Sequence, residues 1–366
     1  MNQGGDRRPT ISEVAQHAGV GRSSAARVLG GYGSVSERTR KQVLNSAAAL
    51  GYETNELARS MSTGVTRTIG VVLADITNPF FAAVLRGISD ATRAAGYGTL
   101  VVNSDEDPAL EDEAVRLLVG KRVDGIVIAP AGGRRAAAEA LRWAASRGVR
   151  VVQVDRTLDD LAVDAVVMDN RDAAREATRR LLDAGHSRIA LAWGPAVPPG
   201  TGARVSARRL TELAARVEIS SVGERYLGYA EALRAAGVEV DPHLVMTGRQ
   251  TADGARAFTA GVLDGHAPTA VVCTEVEATI GVLAEVRARG LSVPDDLSLV
   301  SFDDSPWAGV LRPTLTTVRQ PVQLLGEQAA ARLTARLRGE DGPPAVVHLA
   351  SILVDRESVA APPAAS

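Results

Sequence analysis

The sequence predicts an all-α helix-turn-helix headpiece followed by a larger α/β body with parallel strands. Three observations carry that prediction. Short helices interrupted at glycines occupy residues 10–51. From Ile69 onward, β-branched runs alternate with alanine-rich amphipathic windows, the pattern of parallel sheets covered on both faces. The charge is divided: through Thr68 nine Arg and Lys face five Asp and Glu, so this segment is +4 and the remainder −6. The N-terminal segment is therefore the candidate polyanion binder in a chain whose total charge is only −2.

Thr10 and Glu13 have the S/T-x-x-E spacing of a capping box, which starts a helix at Ile11. Val14, Ala15 and Ala18 share one face, Gly19 supplies the turn, and a second helix runs from about Arg22 to Leu29. A third begins after an N-cap at Ser36, carries the stripe Val43, Leu44, Ala47 and Leu50, and stops at Gly51. The body then reads as strands in "IGVVLA", "GTLVVN", "DGIVIAP", "RVVQVD", "DAVVM", "RIALAW", "TAVVCT" and "LSLVSFD". At 366 residues and 45% hydrophobic content the chain is long enough for two or three domains.

The single cysteine, Cys273, excludes an internal disulfide and any multi-cysteine metal site, and fits a buried strand position in a reducing compartment. "MNQGGDRRPT" lacks the apolar core of a signal peptide and no long apolar run reads as a membrane span, so a cytoplasmic chain without a membrane partner is expected. No cofactor or metal site and no catalytic residue is read: the chain has no nucleophile elbow, no HExxH and no P-loop.

A helix, a glycine turn and a second helix within about twenty residues suit insertion into a DNA major groove, or simply an α-hairpin. Arg22, Ser23 and Ser24 open the second helix and Arg27 follows one turn later. Arg and Ser are residue types that bond base edges and phosphates. The run "TISEVAQHAGVGRSSAARVL", with "ELARSM", "DITNPFF", "RVDGIVIAP", "VVQVDR", "AGHSRIALAWGP", "ERYLGYAEALRAAG", "LSLVSFDDSPWA" and "PTLTTVRQP" in that order, resembles the LacI/GalR family of bacterial transcription regulators over most of residues 10–357.

The resemblance implies a helix-turn-helix headpiece over 1–54 and a hinge helix with linker over 55–68. It also implies a two-subdomain α/β sensor of the periplasmic-binding-protein-like (type I) fold. The first subdomain is expected over 69–168 with 316–339, the second over 169–315 with 340–366. The implied partners are double-stranded operator DNA, a second copy of the chain in a homodimer, and a small-molecule effector, a monosaccharide or related polyol. The resemblance assigns DNA contacts to Thr10, Arg22, Ser23, Ser24, Arg27 and Tyr32, and hinge contacts to Asn55, Ala58, Arg59 and Met61, with Met61 as a minor-groove wedge. The chain departs from the family at Gly21, a weaker cap than Ser, so that Ser23 is expected to help cap the helix, and at Ala26, which lacks a hydroxyl.

Ligands of open α/β sheets sit beyond the carboxyl ends of the strands. There the sequence places Asn78, Phe80, Phe81, Asp155, Arg156, Arg225, Asp303 and Gln320, which match positions where sugar-binding relatives contact ligand. Aromatic faces, guanidinium, carboxylate and amide groups are together suited to a polyol. Glu275 stands where relatives often carry Asn, and is expected to bind further hydroxyls or an amine, or to pair with Arg225. Ala196–Ser220 is longer than the family's usual connection and contains a helical stripe of Leu210, Leu213, Ala214 and Val217, read as a surface decoration in preference to a pocket lid or partner site. The rival reading, an exported sugar-binding protein, leaves residues 10–61 without a purpose.

Overall fold

The computed structural model describes residues 9–30, 32–52, 64–132, 134–158, 161–196, 205–217, 219–248 and 250–363, with backbone alone at 134–137. The chain divides into two units, Met1–Arg67 and Thr68–Ser366. The first contains α1 (Ile11–His17), α2 (Arg22–Gly30) and α3 (Glu37–Ala49). The capping box forms: the Thr10 amide donates to Glu13 Oε2 at 2.6 Å and the Glu13 amide to Thr10 Oγ1 at 3.4 Å. Gly19, at φ +61°, makes the left-handed turn between α1 and α2 that a β-carbon would disfavour. Ser36 caps α3, accepting from the Thr39 amide at 3.2 Å.

The core of this unit is small, made of Val14, Ala15, Ala25, Val28, Val43 and Ala47. Leu44, expected in the apolar stripe of α3, is instead 50% exposed. Val43, Ala47 and Leu50 already follow one another at i, i+4 and i+7, and Leu44 lies about 100° around the helix from Val43. The expected hinge helix, with Asn55, Ala58, Arg59 and Met61, lies outside the described residues.

The second unit has two sheets. One is assembled in the order β10-β5-β4-β3-β1-β2 from β1 (Thr68–Leu73), β2 (Gly98–Asn103), β3 (Gly125–Ile128), β4 (Arg150–Val154), β5 (Asp164–Met168) and β10 (Val346–Leu349). Its helices are α4 (Pro79–Ala94), α5 (Pro108–Gly120), α6 (Arg134–Ser146) and α12 (Val322–Leu337). The other sheet has the order β11-β9-β8-β7-β6, from β6 (Ile189–Ala192), β7 (Ala270–Cys273), β8 (Ser298–Phe302), β9 (Thr316–Arg319) and β11 (Ile352–Val354). With it go α7 (Asn170–Asp183), α8 (Ala207–Ala214), α9 (Ser220–Ala235), α10 (Ala252–Gly265) and α11 (Val276–Ala288). All pairings are parallel except β11 with β9.

The strands β3, β6, β7 and β8 are buried along their whole length, which is why their sequences are continuous apolar runs rather than alternating ones. The two halves meet the expected pattern of two subdomains, but two segments change sides. Thr316–Arg319 continues the second sheet, with Thr316 beside Val300, and Val346–Leu349 closes the first, with Val346 beside Ala165. Each is a short strand completing the ladder of its neighbour, so the chain passes between the halves after Met168, after Arg319 and after Leu349. The described part of the insertion, residues 205–217, is integrated into the second half. Leu210 and Ala214 of α8 are buried in its core, and α9 comes so close that a β-carbon on Gly223 would lie 2.2 Å from the Ala214 carbonyl.

Candidate DNA-contacting helix and effector cleft

In the first unit, Arg22, Ser23 and Arg27 of α2 are exposed and Ser24 is half-buried, while Ala25 and Val28 on the opposite face enter the core. The helix thus presents its polar residues outward because its small apolar ones are anchored. Tyr32 is 42% exposed just beyond it. Thr10, assigned a DNA contact by resemblance, has its hydroxyl in the capping box. Gly21 supplies only its carbonyl to α2, accepting from the amides of Ser24 (2.9 Å) and Ala25 (3.1 Å). Ser23, expected to help cap, makes no cap bond among the described residues.

In the second unit, the strand-end residues converge around two guanidinium groups. Arg156 follows β4. Its Nη1 and Nη2 donate to the two carboxylate oxygens of Glu106 at 2.7 and 2.8 Å, Nη1 also donates to the Pro130 carbonyl at 3.2 Å, and Nε lies 3.2 Å from Asp155 Oδ2. Its guanidinium sits 5.5 Å from the centre of the Phe81 ring. Arg225, on α9, donates from Nε to Asn170 Oδ1 at 2.8 Å and from Nη1 to the Thr274 carbonyl at 2.6 Å and Glu275 Oε1 at 2.7 Å, and stacks 4.6 Å from the Phe302 ring. Of the outcomes open to Glu275, the geometry selects pairing with Arg225.

Asp155 and Asp303 occupy matching places after β4 and β8, each with φ +68° and each donating its amide to a neighbouring strand, at Val166 and Val318. Left-handed backbone at a non-glycine residue costs about 1–3 kcal/mol and marks sites where a side chain is held in one direction. Asp303 Oδ1 accepts from Gln320 Nε2 at 2.6 Å, and Gln320 Oε1 is buried with no hydrogen-bond partner among the described residues. Phe80 and Phe81 meet edge to face at 5.1 Å. Asn78 uses Oδ1 to cap α4, accepting from the Phe80 amide at 3.0 Å.

Burial raises the pKa of Asp155 and of Asp303 above the ordinary carboxylate range, although Arg156 and Arg225 pull the first down and Arg225 and Gln320 the second. Burial likewise pushes the Glu275 carboxyl up to about 7, against Arg225, with Asp303 and Asp155 adding to the rise. Behind Arg156, Glu111 is raised to about 7 by burial, offset in part by the Ala131 amide that donates to Oε2 at 2.6 Å. The cleft is thus rich in acceptors, its donors largely occupied. Glu106 and Asn170 were not singled out from sequence. Asn170 follows β5 and fits the strand-end rule, whereas Glu106 is brought in by a loop in which Asp105 and Glu106 both have positive φ, which no spacing announces.

Comparison with known proteins agrees with this architecture. Residues 10–55 match the family model "Bacterial regulatory proteins, lacI family". Residues 66–215 match "Periplasmic binding proteins and sugar binding domain of LacI family", and residues 178–359 "Periplasmic binding protein-like domain". The chain is 30% identical to Catabolite control protein A of Priestia megaterium over 95% of this chain and 98% of that one. It is 33% identical to the HTH-type transcriptional regulator CelR of Thermobifida fusca over 96% and 98%. A solved complex of the transcriptional regulator CelR with cellobiose superposes with a TM-score of 0.68 at 31% identity, covering 96% of this chain and 100% of that one. With the helix-turn-helix unit, the two-sheet body and these matches across nearly its whole length, the chain belongs to the LacI family of bacterial transcriptional regulators.

Proposed function

We propose that the chain represses transcription as a homodimer on a pseudo-palindromic operator and that a neutral polyhydroxylated effector in the cleft controls its operator affinity. In this reading residues 1–54 bind DNA, 55–68 form the hinge with Met61 entering the minor groove, and the remainder senses the effector. Arg22, Ser23, Ser24 and Arg27 face bases and phosphates. Asp155, Arg225, Asp303 and Gln320 hold effector hydroxyls, and Phe80 and Phe81 border the ring. Effector and operator then influence each other reciprocally, by about 1–3 kcal/mol of coupling.

The single observation that supports the sensor half best is the surplus of buried acceptors, Asp155, Asp303 and the partnerless Gln320 Oε1, around the two guanidinium groups of Arg156 and Arg225. Such a set calls for a ligand that donates several hydrogen bonds, as a sugar does. The CelR structure that resembles this chain holds cellobiose. Selection from random duplex DNA, followed by titration of the selected complex with sugars, tests the reading. A pseudo-palindrome whose binding falls steeply with salt and responds to a sugar is expected. A folded protein that selects no sequence, or an operator complex indifferent to every sugar, overturns it.

A further inference from the structure

Asp169 is the only residue between β5 of the first half and α7 of the second. Its backbone angles therefore set the direction in which the second half leaves the first. Asp is among the best N-cap residues, because its carboxylate accepts from a backbone amide two or three positions on. Thr10, Ser36, Asn78, Asp107, Ser206 and Thr251 occupy the same place before α1, α3, α4, α5, α8 and α10, and each caps its helix through its side chain at a ψ between 117° and 163°. Asp169 sits instead at φ −73° and ψ 68° and makes no cap bond.

Its carboxylate is engaged elsewhere. His348 Nδ1 donates to Asp169 Oδ1 at 2.7 Å, from β10 at the edge of the first sheet. An ionised carboxylate only accepts, so Nδ1 carries the proton in this bond. The Asp169 amide adds a second tie, donating to the Leu349 carbonyl at 3.1 Å where the chain is about to cross to the second half again. Two of the crossings are thus joined at one residue. The next residue, Asn170, is buried; its Nδ2 donates to the Met168 carbonyl at 3.3 Å and its Oδ1 accepts from Arg225 Nε at 2.8 Å. Helices α7 and α9 are so close that a β-carbon on Gly228 would lie 2.0 Å from the Arg171 carbonyl, and Arg171 pairs with Glu231 across them. Packed at that distance, the two helices move together.

We propose that Asp169 and His348 form a latch between the two halves, with the α7 cap as its alternative state. Rotation about ψ of Asp169 into the range used by the six capping residues takes the carboxylate away from His348 and turns it to the amides of Arg171 and Asp172, which secondary structure leaves unsatisfied. The same rotation swings α7 against β5 and carries Asn170, α9 and Arg225 with it. The side chains of His348 and Asp169 are 55% and 40% exposed. An exposed pair and an exposed N-cap are worth comparable amounts, so neither partner of Asp169 dominates and a small bias moves it from one to the other. His348 is therefore a positioning residue, which acts on Arg225 through Asp169 and Asn170. The latch itself does not depend on what occupies the cleft; its effect on the operator rests on the effector-controlled reading above.

Hydrogen exchange of the full chain, read by mass spectrometry at the start of α7, tests the latch. His348→Leu removes the donor and leaves Asp169 free to cap, so exchange at Arg171 and Asp172 should slow by about threefold or more. His348→Asn puts an amide nitrogen near the place of Nδ1 and should restore the wild-type rate. In Asp169→Ala, and in Asp169→Ala combined with His348→Leu, the slowing should be absent; a purely structural role for His348 predicts no such dependence. Unchanged exchange in His348→Leu, or slowing that survives Asp169→Ala, overturns the latch. His348→Leu should also change affinity for the operator selected from random duplex DNA by about threefold or more. Slowed exchange with unchanged operator affinity, in a wild type whose operator binding responds to cellobiose, maltose or glucose, overturns transmission from the latch to the operator. A wild type that responds to no sugar overturns sugar control instead, and the exchange result still decides the latch.

Discussion

Arg156 and Arg225 are near counterparts in the two halves of the sensor, and they have opposite amounts of freedom. Each is buried, each donates to a backbone carbonyl and a glutamate, and each lies over a phenylalanine ring. Arg156 is gripped through both terminal nitrogens by Glu106, and its Nε is paired with Asp155. Arg225 is held through Nε and Nη1, and its Nη2 has no partner among the described residues. The difference teaches that the same residue type serves as a clamp within the first half and as an open donor in the second. The carboxyls beside them differ as well: Glu106 is 40% exposed, whereas the Glu275 side chain is 28% exposed and raised to about 7.

Lysine in place of each arginine tests the comparison most strongly. Arg225→Lys should weaken effector binding about 100-fold, because a single ammonium cannot hold Asn170, Thr274 and Glu275 and still face a ligand. Arg156→Lys should lower stability and change effector affinity by less than about tenfold. Equal losses of affinity in calorimetry would break the distinction between clamp and donor.

A second test concerns the support behind Arg156. Glu111 fixes the Ala131 amide, next to the Pro130 carbonyl that accepts from Arg156. A carboxyl raised by folding from 4.5 to about 7 contributes stability below pH 4.5 that is lost as pH climbs through 7. Glu111→Gln removes that loss, so the variant should gain on wild type between pH 5 and pH 8 by up to about 3 kcal/mol in urea unfolding. His186, whose pKa burial lowers, is common to both proteins and cancels in the difference.

Glu275, which is raised in the same direction, bears on the effector rather than on the scaffold. Arg225 engages only Oε1, which leaves Oε2 to accept from the sugar, and the ionised carboxylate is the stronger acceptor, so affinity for a neutral sugar should rise about three- to tenfold from pH 6 to pH 8 and stay flat in Glu275→Gln. The smallest effect is expected at Glu106. Because its side chain is substantially exposed, Glu106→Gln should cost about 1 kcal/mol or less in stability and leave the pH profile of effector binding unchanged. A Glu106 variant that erased the pH dependence would reverse the roles assigned to the two carboxyls.

The legible parts of the molecule were those governed by local rules. The capping box at Thr10, the Ser36 cap and the buried strands are set by residues within a few positions of one another, and they form as read. The strand-end rule brought Asp155, Arg156, Glu275, Asp303 and Gln320 into one region, because a carboxyl end is fixed once the strand is, and Arg225 joins them from α9. Long-range facts stayed hidden. Glu106 reaches Arg156 from 50 residues away through a positive-φ loop. The sheet membership of β9 and β10 depends on ladder partners that no run of valines specifies. Leu44 was misplaced by one helical position, since both it and Val43 are apolar and only packing separates them.

The pairing of β10 with β5 also constrains the order of events during synthesis. Val346 is the partner of Ala165, so the first sheet waits for nearly the end of the chain before its edge is covered. While a ribosome is still translating, β5 has β4 on one side and an unpaired ladder on the other, a template for any strand that arrives first. The second sheet likewise acquires β11 only after β10 has been laid down, because Ile352–Val354 follows directly. A chain stopped before residue 346 therefore lacks an edge strand in each half, β10 in the first and β11 in the second.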